Sequence, residues 1–325
     1  MPLFINYPAW INPSIFPGVP FLEHLRWYGL MYVFAFGTAY FVFSRQVKEG
    51  ALTFKDEETA ADEIYSFFLC GIVCLVLGAR IFYTLVYDPT RYYWQHPLRI
   101  FVPFDEYGNF TGYAGMSYHG GWIGGLFGML LWCFVKKQPA LKWIDVMCVS
   151  IPLGFTFGRL GNFFNGELYG RITTVPWGMI FPDAEKYSLS LDWVKTIVNV
   201  CGIKVAENQT LVNLPRHPSQ LYEAFFEGVV LWLILWLLRR KKPFDGFFAC
   251  LYTGGYGFFR FIIEYFREPD SDLGYRIAAQ PDSPIYFNVS VFNISTGQIL
   301  CLGMIAASLL GMVLCWLYSK KSKKQ

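Results

Sequence analysis

One stretch of the sequence, residues 158–171, holds two arginines, two asparagines, one glutamate and four glycines. It begins at the end of an apolar run, residues 146–157, that has the character of a membrane-spanning helix. Polar groups at such a boundary are costly unless they face a cavity or find partners, which makes them candidates for function. On a helix Arg159 and Asn162 would share one face, beside glycines that allow close approach. A cation and an amide placed in this way would suit an anionic head group.

A second polar grouping opens another apolar run, where His119 follows Tyr118 and precedes Gly120 and Gly121. A histidine at the end of a span either makes an interfacial hydrogen bond or takes part in chemistry. The two glycines would let a lipid or another helix come close. The sequence leaves both interpretations open and favours a functional one.

A third grouping reads Arg-His-Pro-Ser-Gln-Leu-Tyr-Glu over residues 216–223, with Glu227 one turn further on. Arg216 either ties the start of a helix to neighbouring loops or contacts a substrate. Glu223 and Glu227 share a face inside an apolar run, and they need cationic or donor partners there.

The fourth grouping places Arg260 and Glu264 four residues apart, with Arg267 near the same face, and Arg80 adds a cation in a different apolar run. Counted with Arg159, and with Arg216 nearby, these arginines exceed what the three glutamates at positions 223, 227 and 264 need. The sequence therefore predicts a bound anion. In a membrane the phosphate of a phospholipid is the first candidate, because guanidinium groups bind phosphate bidentately.

The composition of the chain is that of a membrane protein. Of its 325 residues, 54% are hydrophobic and only 16% are charged, and the mean hydropathy is +0.33. The net charge of +3 is too small to favour nucleic acid as a partner. Because the sequence contains no P-loop, dinucleotide-binding fingerprint or metal-ligand spacing, we expect neither a cofactor nor a metal.

Seven apolar runs predict an all-α polytopic membrane protein, a single integral membrane domain over residues 1–325 with a small extracytoplasmic cap. The predicted spans are residues 28–44, 66–87, 120–135, 144–160, 220–238, 246–265 and 297–318. The segments 161–219 and 266–296 are long enough to form the cap.

The segments between the spans alternate in charge. Four of them, residues 45–64, 136–142, 239–245 and 319–325, carry arginine or lysine at 14 of their 41 positions. Since basic loops remain in the cytoplasm, the sequence predicts a cytoplasmic C-terminus and an outer N-terminus. The four polar groupings then lie toward the outer face of the membrane.

These motifs, in this order, resemble the prolipoprotein diacylglyceryl transferases, a family of bacterial membrane enzymes. The matching motifs are Arg26-Trp27-Tyr28-Gly29-Leu30, Gly78-Ala79-Arg80, His119-Gly120-Gly121, residues 158–170, residues 216–223, and Gly255-Tyr256-Gly257 running through Arg260, Glu264 and Arg267 to Asp270. The resemblance covers most of the chain and departs from the family in the outer segments 183–214 and 271–295.

The resemblance implies a multi-pass protein of the bacterial cytoplasmic membrane. It would transfer the diacylglyceryl group of phosphatidylglycerol to the lipobox cysteine of a prolipoprotein and release glycerol phosphate. Arg159 and Arg260 would then stabilise charge on the phosphate. The substrate thiol needs a base or a positive field to ionise, and His119 either is that base or orients the head group. The resemblance also implies substrate contacts from Tyr28, Arg80, Gly120, Gly121, Asn162, Asn165, Glu167, Gly170, Tyr256 and Glu264.

Two other classes of function fit the same arginines. A phospholipid or anion transporter would bind a phosphate and pass it on, and a structural lipid-binding protein would bind without turnover. The sequence lacks the internal repeat found in many transporters, and its polar motifs crowd toward one face. Release of glycerol phosphate in the presence of a lipobox peptide would separate the three.

Overall fold

Long apolar helices make up most of the chain in the computed structural model, which describes residues 4–19, 22–23, 25–88, 91–102, 104, 115–269, 274–280 and 283–322. The helices are α1 (Trp27–Lys48), α2 (Glu57–Phe82), α3 (Tyr92–Gln95), α4 (Tyr118–Val135), α5 (Ala140–Phe164), α6 (Asp192–Cys201), α7 (Ser219–Glu223), α8 (Leu231–Leu238), α9 (Phe247–Ile263) and α10 (Thr296–Ser322). Asp270 of the family motif and parts of the divergent segment 271–295 lie outside the described residues.

Short irregular helices and strands connect these elements. The π-helical segments are Tyr83–Tyr87 and Ala224–Val230, and the 3-10 segments are Pro97–Ile100 and Arg239–Lys241. The strands are β1 (Ile5–Asn6), β2 (Met179–Ile180), β3 (Lys186–Ser188), β4 (Leu211–Asn213), β5 (Tyr275–Ile277) and β6 (Ile294–Ser295). β1 pairs with β2 in parallel, and the pairs β3–β4 and β5–β6 are antiparallel.

Six helical stretches in the described residues are long and apolar enough to cross a membrane, so the chain is a multi-pass membrane protein. They are α1, α2 with its π-helical extension, α4, α5, the stretch Ser219–Lys241, and α10. The remaining predicted span, 246–265, corresponds to α9, which has 17 residues. The count of seven spans stays a prediction.

The helix that contains the second predicted span is longer than that span. It begins at Glu57, nine residues before the predicted start at residue 66, because Asp56 caps it by accepting a hydrogen bond from the Thr59 backbone N–H at 2.7 Å.

The chain divides into two compact units, one formed by Met1–Val42 with Met147–Gln325 and the other by Phe43–Val146. The prediction of one domain over residues 1–325 remains to be tested. In the second unit α2 and α4 pack through a column of glycines at positions 78, 120, 124 and 128. A methyl group at any of them would overlap atoms of the facing helix.

In the first unit, the stretch Ser219–Lys241 changes its winding between α7 and α8. The hydroxyl of Thr156 on α5 packs against Gly228 and donates to the carbonyl oxygen of Ala224 at 3.3 Å. A side chain inserted in this way favours the wider π-helical turn observed over Ala224–Val230. The stretch therefore winds as an α-helix up to Glu223, as a π-helix around Glu227, and as an α-helix again through its apolar half.

The chain between α5 and α7 folds around a hydrophobic core of its own. The buried side chains of α6, β3 and β4 meet there, with Val194, Cys201 and Leu214 having no exposed surface. Tyr286 and Phe287, from the second predicted cap segment, pack against this core. The two segments predicted to form a cap thus contribute to one structure, while the side of the membrane on which it lies stays a prediction.

Candidate functional site

The stretch 158–171 changes from helix to extended chain in the middle of its motif. α5 ends at Phe164, and the chain then turns through Gly166 and Leu168, both with positive φ, of +68° and +56°. Two side chains at the start of α7 hold this turn. Ser219 donates to the Leu168 carbonyl oxygen at 3.0 Å, and the Gln220 amide donates to the carbonyl of Glu167.

The residues after the turn tie two other motifs to this one. Gly170 N–H donates to the His217 carbonyl at 2.8 Å, and Arg171 N–H donates to the Phe266 carbonyl at 2.9 Å. A Cβ at position 170 would overlap the Phe266 carbonyl oxygen. This close backbone approach accounts for Gly170 without a ligand, and its predicted contact with substrate is untested.

A network of ion pairs lies where α5, the start of the fifth span and α9 meet, with Glu223 at its centre. One oxygen of this carboxylate, Oε2, lies 2.8 Å from Arg159 Nε and 3.0 Å from Arg260 Nη1. The Glu223 side chain is only 1% exposed. Two arginines from different helices, α5 and α9, are therefore held by one buried oxygen atom.

The other members of the network extend it along α9. Arg260 Nη2 lies 3.3 Å from Glu264 Oε2, and Ser295 donates to the other oxygen of Glu264 at 3.0 Å. Arg267 Nε lies 4.0 Å from Glu223 Oε1, and its Nη1 lies 3.9 Å from Glu264 Oε2. Glu227 is fully buried and lies 3.8 Å from Arg260 Nη1, with no hydrogen-bond partner for either oxygen among the described residues.

A branch of the network follows the end of α5. Arg159 Nη1 donates to Asn162 Oδ1 at 3.4 Å, and the Asn162 amide donates to Glu167 Oε1 at 2.8 Å. Asn165 donates to the same Glu167 oxygen at 3.5 Å. Arg159 and Asn162 thus do share a face, as predicted, and Glu167 orients the asparagine.

Aromatic rings flank the arginines of this network. The guanidinium of Arg159 lies 4.7 Å from the ring centre of Phe155, which packs edge-on against Tyr256 at 5.8 Å. Tyr28 lies close to the position of Gly161 on α5, and its hydroxyl is 3.0 Å from that of Tyr32. The predicted residues Tyr28 and Tyr256 therefore flank the signature stretch.

The predicted surplus of positive charge is not found in this network. Among the described residues it contains three arginines, at positions 159, 260 and 267, and three glutamates, at positions 223, 227 and 264. Arg216 lies apart, paired with Glu268. The prediction counted Arg216, which pairs with Glu268, and Arg80, which belongs to the unit Phe43–Val146 and donates to carbonyl oxygens there.

The geometry nevertheless leaves donors for an anion. The Nη2 group of Arg159 makes no hydrogen bond to a described residue, and neither does any side-chain nitrogen of Arg267. The side chains of Arg159, Arg260 and Arg267 keep 15%, 13% and 18% of their surface exposed. A phosphate group could therefore accept hydrogen bonds here while Glu223 still holds the arginines in place.

Two predicted site residues lie in the unit Phe43–Val146. His119 is exposed at the start of α4, with Nδ1 3.1 Å from the hydroxyl of Tyr87. Arg80 is buried and donates from Nε to the Ile100 carbonyl at 3.0 Å and from Nη1 to the Gly115 carbonyl at 3.3 Å. These partners give Arg80 a structural role, and its predicted contact with lipid stays a prediction.

The two glycines after His119 face α2. A Cβ on Gly120 would overlap Phe82 and the Gly78 carbonyl, whereas one on Gly121 would be in ordinary contact with Ala79. Of the two possibilities considered for these glycines, a helix rather than a lipid makes the close approach at Gly120.

Outside the spans, the half-buried His217 carries a shifted pKa. Burial, and secondarily the charge of Arg171, lower the pKa of His217 to about 4 from 6.5. Its Nδ1 lies 3.2 Å from the hydroxyl of Tyr222, which accepts a hydrogen bond from Trp177 Nε1 at 2.7 Å. His217 is neutral at pH 7 and anchors the start of α7.

Sequence reasoning identified Glu223, Glu227 and Arg267 as polar groups in need of partners but left them out of the site. The acidic pair four residues apart inside an apolar run was the signal for the two glutamates. Ser295 was missed altogether, because a serine in a connecting segment carries no such signal.

Comparison with known proteins agrees with the resemblance found in the motifs. The family model for prolipoprotein diacylglyceryl transferase matches residues 19–314. A phosphatidylglycerol–prolipoprotein diacylglyceryl transferase of Treponema denticola is 55% identical over 336 aligned residues, covering 100% of this chain and 98% of that protein. Those of Treponema pallidum and Borreliella afzelii are 51% and 39% identical, covering 98% and 100% of this chain and 97% and 99% of theirs. The chain belongs to the prolipoprotein diacylglyceryl transferase family.

Proposed function

We propose that this protein transfers the diacylglyceryl group of phosphatidylglycerol to the cysteine thiol of a prolipoprotein and releases glycerol phosphate. The names of its relatives state the two substrates. The observation that carries the proposal is the pair Arg159 and Arg260, held at 2.8 and 3.0 Å from one oxygen of Glu223 among membrane-spanning helices. A preorganised pair of cations in an apolar setting suits a reaction whose leaving group is a phosphate.

The reaction requires charge to develop on that phosphate. The thiolate sulfur bonds to the carbon of the diacylglyceryl group that carries the phosphate. The bond from this carbon to the phosphate oxygen breaks, and its electron pair leaves on that oxygen with the glycerol phosphate. Arg159 and Arg260 stabilise this charge without reorganising, because Glu223 and Asn162 already fix their orientation. Electrostatic stabilisation of this kind is the main contribution that we assign to the network.

The incoming thiol must lose its proton before or during the attack. We assign this step to His119, whose Nδ1 lies near the Tyr87 hydroxyl and whose Nε2 is then available to accept a proton. Orientation of the head group is the alternative role for this histidine. The kinetics of a variant distinguish the two roles.

Substrate binding is assigned more broadly. Tyr28, Asn162, Glu167 and Tyr256 line or support the arginines, and we assign them to positioning the lipid and the guanidinium groups. The remaining predicted contacts are Arg80, Gly120, Gly121, Asn165, Gly170 and Glu264.

A transfer assay in proteoliposomes tests the function. Purified protein with phosphatidylglycerol labelled in its head-group glycerol should release labelled glycerol phosphate only when a lipobox peptide is present, and the peptide should gain a diacylglyceryl group. Movement of lipid or phosphate across the vesicle without the peptide would instead support a transporter. Binding of the lipid with neither release nor movement would support a structural lipid-binding protein.

We further propose that the protein lies in the bacterial cytoplasmic membrane with its N-terminus outside, its C-terminus in the cytoplasm and the arginine network toward the outer face. The alternation of basic segments supports this orientation. Reporter fusions after Lys137 and Arg240 should report the cytoplasm, and a fusion near Asn208 should report the outside. A cytoplasmic signal at residue 208 would reverse the orientation of the site. A fusion after Lys324 should also report the cytoplasm, and one near Asp282 the outside; both positions lie outside the described residues.

A further inference from the structure

A second polar site lies beside the arginine network. It is a cavity of about 220 Å³ whose walls include Tyr169, Glu185, Arg216, Arg267 and Glu268. The cavity is large enough for several water molecules or one small polar molecule. The transfer reaction proposed above gives none of these residues a role, although Arg267 also belongs to the arginine network.

Arg216 is built into the wall of this cavity. Its side chain is 1% exposed, its Nη1 is paired with Glu268, and its Nη2 donates to the Tyr187 hydroxyl at 3.2 Å. The rings of Tyr169 and Tyr187 lie 5.0 and 5.8 Å from the guanidinium carbon. Its Nε is buried and has no hydrogen-bond partner among the residues that the structure describes. A buried, unpartnered donor on a guanidinium that is otherwise fixed points to an acceptor supplied by a ligand.

Arg267 connects the cavity to the site of transfer. It lies about 4 Å from Glu223 and from Glu264, yet it makes no side-chain hydrogen bond among the described residues. A phosphate released from Arg159 and Arg260 would meet Arg267 next.

The cavity also offers acceptors. Glu268 is paired with Arg216, and Glu185 is exposed, with one oxygen accepting from the Tyr187 hydroxyl at 3.0 Å. A bare anion would be repelled by these carboxylates. A molecule with a phosphate at one end and hydroxyl donors at the other would satisfy both kinds of group.

We propose that this cavity binds phosphoglycerol, with the phosphate on Arg267 and Arg216 Nε and the glycerol hydroxyls donating to Glu185 and Glu268. The assignment rests on the proposed function, because phosphoglycerol is present both in the head group of the lipid substrate and in the released product. The cavity is then a head-group subsite on the path between the arginine network and water.

The test is direct binding of glycerol phosphate and of inorganic phosphate to the detergent-solubilised full chain, measured by calorimetry. We expect glycerol phosphate to bind more tightly. Glu185→Ala should weaken glycerol phosphate about tenfold, the loss expected for a hydrogen bond to a charged group. It should not weaken inorganic phosphate, because it removes a carboxylate that repels the anion. Arg216→Lys, which keeps the charge but removes Nε, should weaken both ligands. Glu207→Ala, an exposed glutamate that does not line the cavity, is the matched control and should change neither.

Steady-state transfer with the same variants separates the two sources of phosphoglycerol. A raised KM for phosphatidylglycerol in Glu185→Ala identifies the head group of the bound lipid, and weakened inhibition by glycerol phosphate at an unchanged KM identifies the product. Equal binding of the two ligands to wild type, or unchanged binding in Glu185→Ala, overturns the inference even if transfer proceeds normally. Loss of the proposed function would appear separately, as absence of transfer in wild type.

Discussion

Replacing Arg159 by lysine tests whether the site depends on the shape of the guanidinium group or only on its charge. Arg159 reaches two partners with two different nitrogens, Glu223 Oε2 from Nε at 2.8 Å and Asn162 Oδ1 from Nη1 at 3.4 Å, and leaves Nη2 for a ligand. A lysine ammonium is a single point of charge and cannot keep this fork. We expect the ammonium to remain paired with the Glu223 carboxylate and to make no hydrogen bond to the phosphate.

The size of the effect follows from that loss. Removing one preorganised donor to a developing oxyanion typically lowers kcat by about 10²–10³, equivalent to about 2.7–4 kcal/mol. Stability should change little, because the ammonium still neutralises Glu223, whereas removing one partner of a buried pair costs about 3–5 kcal/mol. We therefore expect a folded, membrane-inserted protein with turnover reduced at least a hundredfold.

The assay is release of glycerol phosphate at saturating phosphatidylglycerol and lipobox peptide, together with thermal melting in detergent. Arg45→Lys is the matched control, because Arg45 makes an exposed ion pair with Glu49 through Nε at 3.1 Å. Turnover within threefold of wild type in Arg159→Lys would show that charge alone suffices and would refute the assignment of Arg159 to the phosphate.

Three further predictions follow from the described contacts. His119→Gln should nearly abolish transfer even at saturating lipid, with partial rescue at high pH as the substrate thiol ionises; an unchanged maximal rate with weaker lipid dependence would leave only an orienting role. Glu227→Gln should leave the melting temperature unchanged or raise it, because neither oxygen of the buried Glu227 carboxylate has a hydrogen-bond partner among the described residues. Glu223→Gln should lower it by several degrees, because it removes the charge that lies 2.8 and 3.0 Å from Arg159 and Arg260. His217 has a folded pKa of about 4, below its usual 6.5, so its contribution to stability is complete above pH 6.5 and is lost as the pH falls toward 4. Each pH unit below 6.5 costs about 1.4 kcal/mol, so protonation of His217 should lower the free energy of unfolding of wild type by about 2 kcal/mol at pH 5. His217→Phe should show a smaller drop in melting temperature between pH 7 and pH 5, and an equal drop would contradict the assignment.

The apolar helices and the chemistry of the site followed from the sequence because both depend on local patterns. Runs of apolar residues predict spans wherever they occur, and a charged residue inside such a run needs a partner wherever that partner is. Arg159 and Arg260 could be named on these grounds together with the family resemblance.

The relations between spans could not be predicted in the same way. That one oxygen of Glu223 serves both arginines depends on how three helices pack, and no spacing along the chain encodes this. The count of arginines against glutamates failed for the same reason, because the partners of two arginines could not be known from spacing. Arg80 donates to backbone carbonyls and Arg216 pairs with Glu268. Gly120 likewise looked able to meet a lipid until the facing helix was known.

In the π-helical segment Ala224–Val230 the number of residues matters, separately from which residues they are. Upstream of it, Glu223 faces the arginines; downstream, Leu231 and Leu235 pack with Val149 and Phe248. A π-helical segment holds more residues per turn than the α-helix on either side of it, so a deletion here can be absorbed by a return to α-helix. Inserting one residue would instead rotate everything after it by about 100°, one residue of a 3.6-residue turn, relative to Glu223. The glutamate and the leucines could then no longer both reach their partners. The number of residues in this stretch therefore sets the angle about the helix axis between Glu223 and the two leucines, and we expect conservative substitutions to be tolerated far better than an insertion.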